Sequence, residues 1–182
     1  MSKKADLIRK LRSPDNKIVL QAVEELRVNG WLEDGSLENV PLCHVQMQGA
    51  DLMSADLCSV DFHQAQLQNA DLSNASLRCA RFTRAKLQAA NFSRADLKNA
   101  DLFKADLTEA RNLSSEQLAT AKRLHGAIMP DELPYDGRYN LEGDLEFARW
   151  GRIDTKDPQA MADFYGVTLK IYLMGQRQLV NA

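Results

Sequence analysis

A large apolar side chain returns at every fifth position along the middle of the chain: Leu42, Met47, Leu52, Leu57, Phe62, Leu67, Leu72, Leu77, Phe82, Leu87, Phe92, Leu97, Leu102 and Leu107. Two residues before each stands a small apolar one: Val40, Val45, Ala50, Ala55 and Val60, then Ala at every fifth position from Ala65 to Ala105. A polar residue, often Asp, separates the two, as in Ala50-Asp51-Leu52 and Ala100-Asp101-Leu102. The units run from Val40 to Glu109 without an insertion.

A period of five suits neither regular element. On a helix, five residues turn about 500°, so successive large residues drift about 140° apart and build no stripe. On a strand, odd spacing sends successive centres to opposite faces. Ala, Leu, Gln and Lys favour helix, but by no more than about 0.7 kcal/mol per residue. Burying each large centre is worth roughly 1.5–3 kcal/mol. Burial decides, so each unit is expected to form one side of a coil, with a corner between units.

The tandem motif A-[D/N]-L-x-x resembles the pentapeptide-repeat proteins. That resemblance implies an all-β solenoid, a right-handed quadrilateral parallel β-helix in which four units close one square coil and the centre and the small residue point inward. The repeats then make about three and a half to four coils, roughly 17 Å tall at the usual inter-strand spacing. The same register stacks Leu37, Leu57, Leu77 and Leu97 in one interior column and Leu42, Phe62, Phe82 and Leu102 in the next. A third holds Met47, Leu67, Leu87 and Leu107, and a fourth Leu52, Leu72 and Phe92. The fourth would continue at Asn112, which is costly to bury without partners. The solenoid is therefore expected to occupy residues 37–112.

Open solenoid ends leave unpaired backbone groups and call for covers. Residues 1–36 read as an N-terminal helical cap. A short helix near Lys4–Leu11 is followed by a longer one with Ser13 as N-cap and Pro14 in its first turn. Val19, Ala22, Val23 and Leu26 share its apolar face, and Asn29-Gly30 ends it. Residues 113–182 read as a C-terminal α-helical segment, with helices near Ser115–Leu124, Gly143–Trp150, Asp157–Phe164 and Thr168–Leu179. This segment holds seven of the twelve aromatic residues, including Tyr135, Tyr139, Tyr165 and Tyr172. Two roles are open to it: a packed cap, or a docking surface that also supports a homodimer through its helices. Phe103, aromatic at an outward repeat position, with Tyr165, Leu169, Tyr172 and Leu173, forms the candidate interaction surface.

Charge narrows the partners. Twenty-three Lys and Arg against 25 Asp and Glu give a formal charge of −2, unlike the strong basic excess of general nucleic-acid binders. No apolar run reaches the ~18–20 residues that cross a bilayer, and the charged N-terminus does not read as a signal peptide. Three cysteines without CxxC spacing fit reduced thiols in a cytoplasm.

Catalytic motifs are missing from the sequence: it has no GxSxG, HExxH, Walker loop or Rossmann glycine fingerprint. Cys43, His44 and His63 come together in the register, yet no fourth ligand accompanies them, so they read as surface residues and no metal or other cofactor is expected. Asp61, Arg81 and Asp101 form an outward column of alternating sign, and Gln48, Gln68 and Gln88 a column expected to hydrogen-bond along the stack. A prism filled by its own leucines offers no substrate cavity. The expectation is a non-catalytic scaffold or protein–protein interaction module with an unknown protein partner and no nucleic-acid, membrane or small-molecule substrate. The alternative suggested by the resemblance is a DNA mimic that modulates a topoisomerase such as gyrase. Eight acidic against seven basic residues over 40–109 make a weak field for that role.

Overall fold

A computed structural model describes residues 2–180. Among them, helices α1 (Lys3–Lys10) and α2 (Asn16–Val28) precede a stack of coils, α3 (Ser115–Ala119) interrupts it, and α4 (Glu142–Trp150), α5 (Pro158–Tyr165) and α6 (Leu169–Val180) follow. The coils are joined by parallel bridges between residues one coil apart: Pro41 with Asp61, Gln46 with Gln66, Asp51 with Asp71, Asp56 with Ser76, and onward to Asn91 with Arg111. Four bridges per coil make four walls. Each bridge is isolated, so the walls are ladders of single-residue pairings and not sheets of extended strands.

The corner conformation explains the period. The residue two after each centre has positive φ, as at Ser54 (58°), Cys79 (58°), Ala89 (56°) and Lys104 (55°), with Gly49 the single glycine in the series. A left-handed residue with a Cβ costs roughly 1–2 kcal/mol. Its N–H is repaid by the next coil: Ala89 N donates to Thr108 O at 2.9 Å. The recurring Asp or Asn also holds the corner. In eight units its Oδ1 accepts from the N–H two residues on, as Asp71 does from Ser73 and Asn91 from Ser93. This Asx turn gives a physical reason for the Asp between the small and large residues.

All fourteen centres are at most 1% exposed. Phe62 and Phe82 stack one coil apart, ring centroids 5.2 Å and planes 12° from parallel. The alanines beside the centres are likewise buried, while Val40, in the first unit, is half-covered.

The hydrogen bonds give the stack a direction. Toward the preceding coil each unit turns two carbonyls and one N–H, as Asp61 O and N and His63 O do toward Leu42, Val40 and His44. Toward the following coil it turns two N–H groups and one carbonyl. The N-terminal edge is therefore acceptor-rich and the C-terminal edge donor-rich. Helix α2 and the turn before it bring donors to the first: Arg12 Nε to Pro41 O at 2.9 Å, Asn16 Nδ2 to Gln48 O at 3.1 Å, and Arg27 Nη2 to Asp51 O at 2.7 Å. Pro41 itself stands where an N–H would face outward from the edge without a ladder partner.

The structure corrects the solenoid boundary. The ladder does not end at 112 but resumes after α3, pairing Asp101 with Arg123 and Asp106 with Ile128. Leu124 and Met129 continue the columns of Leu102 and Leu107, and Ala127 that of Ala105, all buried. The offset becomes 22 residues, because α3 inserts two. Asn112 stays exposed with φ 54°. Helix α3 ends at Ala119, well before Leu124, because residues beyond it are recruited to the ladder. Its Gln117 completes a capping box with Ser114 and donates from Nε2 to Phe92 O and Ala95 O, both 2.8 Å. In α2 the N-cap is Asp15, bonded to Lys17 N, and not Ser13; Pro14 lies before the helix.

Replacing Phe82 by Ala is expected to cost about 3–5 kcal/mol, because the square column cannot collapse around the void. Replacing Ala89 by Gly should instead raise stability, by about 0.5–1 kcal/mol, since relief of the left-handed strain exceeds the entropy cost of glycine. Urea unfolding of both variants checks the pair.

Candidate functional site

With the interior filled, chemistry is confined to outward positions: the residue before each centre and the two after it. One wall, built by the units centred on Leu42, Phe62, Phe82, Leu102 and Leu124, carries all three histidines of the protein, His44, His63 and His125, together with Phe103. We call it face one. At its N-terminal end the rings of His44 and His63 meet edge-on, centroids 5.7 Å apart. At its C-terminal end Phe103 stacks on His125 at 5.7 Å and meets Phe147 edge-on at 5.6 Å. Arg123 lies over Phe103 at 4.5 Å and Lys104 at 5.2 Å. Phe164 tilts against His125 at 4.2 Å. Phe147 stacks on Trp150, which is 82% exposed. Burial, with Lys104 and Arg123 nearby, pushes the His125 imidazole down to about 4, so it is neutral at physiological pH.

Phe103 is thus half-covered by the C-terminal segment and half-accessible. Of the other candidate surface residues, Tyr165 (5% exposed) and Tyr172 (7%) are buried in the cap and supply no interface. The helical turn that carries Tyr165 packs it against Tyr135, centroids 5.5 Å apart, and against Tyr172 at 6.3 Å. Leu169 is half-buried, and Leu173 remains 39% exposed beside Ile171 and Met174.

Helix α4 closes the donor-rich edge. Asp144 is fully buried and accepts from Leu124 N at 3.2 Å and His125 N at 2.9 Å. Gly143 donates to Lys122 O, an approach that a side chain would block, since a Cβ there would lie 2.6 Å from that oxygen. Burial raises the Asp144 carboxyl to about 6, outweighing the N–H bonds that favour its ionised form. Between α4 and the corner at which face one begins, beside Cys79 and Asn99, opens a cleft of about 570 Å³, lined by Arg81, Asp101, Lys122, Glu142 and Glu146.

Two outward columns differ from the expected pairing. Arg81 binds Asp61 at 3.0 Å, but Asp101 is held by both Nε and Nη2 of Arg123, the residue brought over it by the α3 insertion. The glutamines of the column do not bond to one another along the stack. Gln48 and Gln68 donate sideways to Gln46 and Gln66 in their own coils, and Gln88 donates to Asp106. For Gln48 and Gln68 the acceptor stands before the centre of the same unit, and for Gln88 it is a carboxylate of the coil above. Cys43, Cys58 and Cys79 are free thiols, with Cys58 Sγ 2.9 Å from Ser76 Oγ. Burial pushes the Cys43 and Cys58 thiols up, which weakens them as nucleophiles. Among the described residues no three His, Cys, Asp or Glu side chains are placed to hold a metal ion, and no helix is long and apolar enough to cross a membrane.

The family model for pentapeptide repeats matches residues 36–74 and 75–111. Solved structures with similarity include HetL, a protein involved in heterocyst differentiation regulation from the cyanobacterium Nostoc, at 36% identity over 51% of this chain and 42% of that one, TM-score 0.46. Rfr23 from the cyanobacterium Cyanothece is 28% identical over 52% of this chain and 60% of its own, TM-score 0.40. QnrB1, a plasmid-mediated fluoroquinolone resistance protein, is 20% identical over 63% and 62%, TM-score 0.29. The chain thus spans less than two thirds of each. No curated protein sequence matches it.

The buried carboxyl makes a pH prediction. A folded value near 6 against the ordinary 3.8 means that folding favours the protonated form. That contribution is complete below about pH 4 and is lost as pH rises through about 6. Asp144→Asn should remove it. The difference in urea midpoint between wild type and variant is expected to change across pH 4–6 and to level off above.

Proposed function

We propose that the chain is a pentapeptide-repeat protein serving as a non-catalytic protein-interaction module, a right-handed four-walled prism whose outer surface, above all face one, is its working part; the match of residues 36–111 to the family model supports this reading. The observation that carries this reading is the interior: every repeat centre is buried to 1% exposure or less, so the prism has no room for a substrate. Both open edges are closed by the chain's own groups, Arg12, Asn16 and Arg27 at one end and Asp144 and Gly143 at the other. Partners are thereby directed to the walls.

Among the walls, face one combines half-exposed rings with arginines, both of which are enriched at protein interfaces. The three free thiols fit a reducing cytoplasm. A duplex mimic needs a run of free carboxylates. Here Asp51 is paired with Arg27, Asp61 with Arg81, Asp101 with Arg123, and Asp71 accepts from Asn91.

Crosslinking capture from native cells tests the reading with point variants of the full chain. Truncation before α4 is unsuitable, because it would strip the donor-rich edge. Phe103→Ser together with Lys104→Glu is expected to abolish capture of specific partners, whereas Leu173→Glu on α6 should leave it intact. Turnover of a metabolite by the purified chain, lost in a surface variant that stays folded, would overturn the proposal.

A further inference from the structure

The corner of face one carries an unrelieved charge. His44, Gln64, Arg84 and Lys104 occupy one outward column, each one coil above the last, because their N–H groups bond coil to coil: Arg84 N donates to Phe103 O and Lys104 N to His125 O. Arg84 and Lys104 are therefore direct ladder neighbours of like sign, an arrangement that destabilises a stack. Both are exposed, and among the described residues neither has an acidic partner. The carboxylates that could serve them are engaged. Asp61 and Asp101 are bound by Arg81 and Arg123. Asp106 stands across the ladder from Lys86 and its side-chain donors are the neutral Gln88 and Thr108, so its charge offsets one of the three cations Arg84, Lys86 and Lys104. Beside the cations runs an aromatic ledge, from Phe103 through Phe147 to the exposed Trp150.

Positions that break a local rule without internal compensation mark functional sites. We infer that this corner binds an acidic segment of a partner protein, whose carboxylates pair with Arg84, Lys86 and Lys104 while an aromatic or aliphatic side chain rests on the Phe103–Trp150 ledge. The complementarity is chemical on both counts: surplus positive charge needs anions, and half-exposed rings next to it need an apolar anchor. The inference rests on the interaction-module reading and adds the partner's chemistry and its footprint.

The probe is a fluorescein-labelled peptide of alternating Glu and Phe, titrated against the full chain by anisotropy at low and physiological salt. Wild type is expected to bind it, more weakly as salt rises. Arg84→Glu with Lys86→Glu should weaken binding about tenfold or more. The single variant Arg84→Glu should at the same time raise the unfolding midpoint, because it turns a like-charge neighbour into an ion pair with Lys104. A midpoint that falls, or peptide affinity unchanged in the double variant, overturns the inference. So does equal or tighter binding of a single-stranded oligonucleotide, or a dimer seen by sedimentation that Arg84→Glu abolishes. If cellular partners are captured through Phe103 while the charge variants bind them normally, the module reading stands and this inference alone fails.

Discussion

Stacking identical coils forces every wall to carry its backbone hydrogen bonds in one sense, and that single constraint organises the molecule. Each unit turns two carbonyls and one N–H backward, and two N–H groups and one carbonyl forward. Within the stack these satisfy one another. At the edges they do not, and an unpaired buried amide or carbonyl costs about as much as a lost hydrogen bond. The two ends therefore need opposite chemistry. Arginine and asparagine side chains from α2 and the turn before it serve the acceptor-rich edge, and a buried carboxylate from α4 serves the donor-rich one. A cap of the wrong sign would leave its edge unsatisfied however well its apolar face packed.

The C-terminal end shows how the constraint outranks the repeat. Once Asn112 interrupts the apolar centres, the coil departs into α3, and Gln117 satisfies the carbonyls of Phe92 and Ala95 on the way. The chain then returns to the ladder two residues late. This slip changes side-chain partners as well as backbone ones: it sets Arg123 over Asp101 and over Phe103, and His125 above Phe103. The basic and aromatic end of face one is thus a product of the insertion. Gly143 matters for the same reason, since α4 reaches the edge only where no Cβ stands between it and Lys122 O.

The coil stack was legible in the sequence because burial dominates it: one large centre every five residues leaves few alternatives. The boundary at 112 was not, although Ala127-Ile128-Met129 repeats the small–polar–large order in a looser form, with Ile at the outward place. A two-residue slip removes the strict period by which the repeats are recognised. Arg12, Arg27 and Asp144 were invisible as caps, since nothing in composition tells which edge lacks donors; only the hydrogen-bond direction does. Tyr165 and Tyr172 read as surface because an amphipathic pattern gives no count of the elements that cover it, and the cap covers both. Phe103 could be singled out from the register alone, because an aromatic ring at a corner-flanking outward place departs from the polar residues around it.

A solid prism separates stability from recognition more sharply than a fold with a pocket does. The inward residues and the corner Asx turns fix the coil, and the caps fix its length. Outward side chains other than those of the Asx turns contribute little to either, because exposed ion pairs are worth about 0–1 kcal/mol. They are free to diverge from wall to wall. Here the divergence is uneven: the acids of face one are spent on Arg81 and Arg123, and the cations at its corner are left with none. Two like charges at ladder distance are tolerable because fourteen buried centres outweigh them, and that surplus of stability is what allows one corner to be shaped for an external partner.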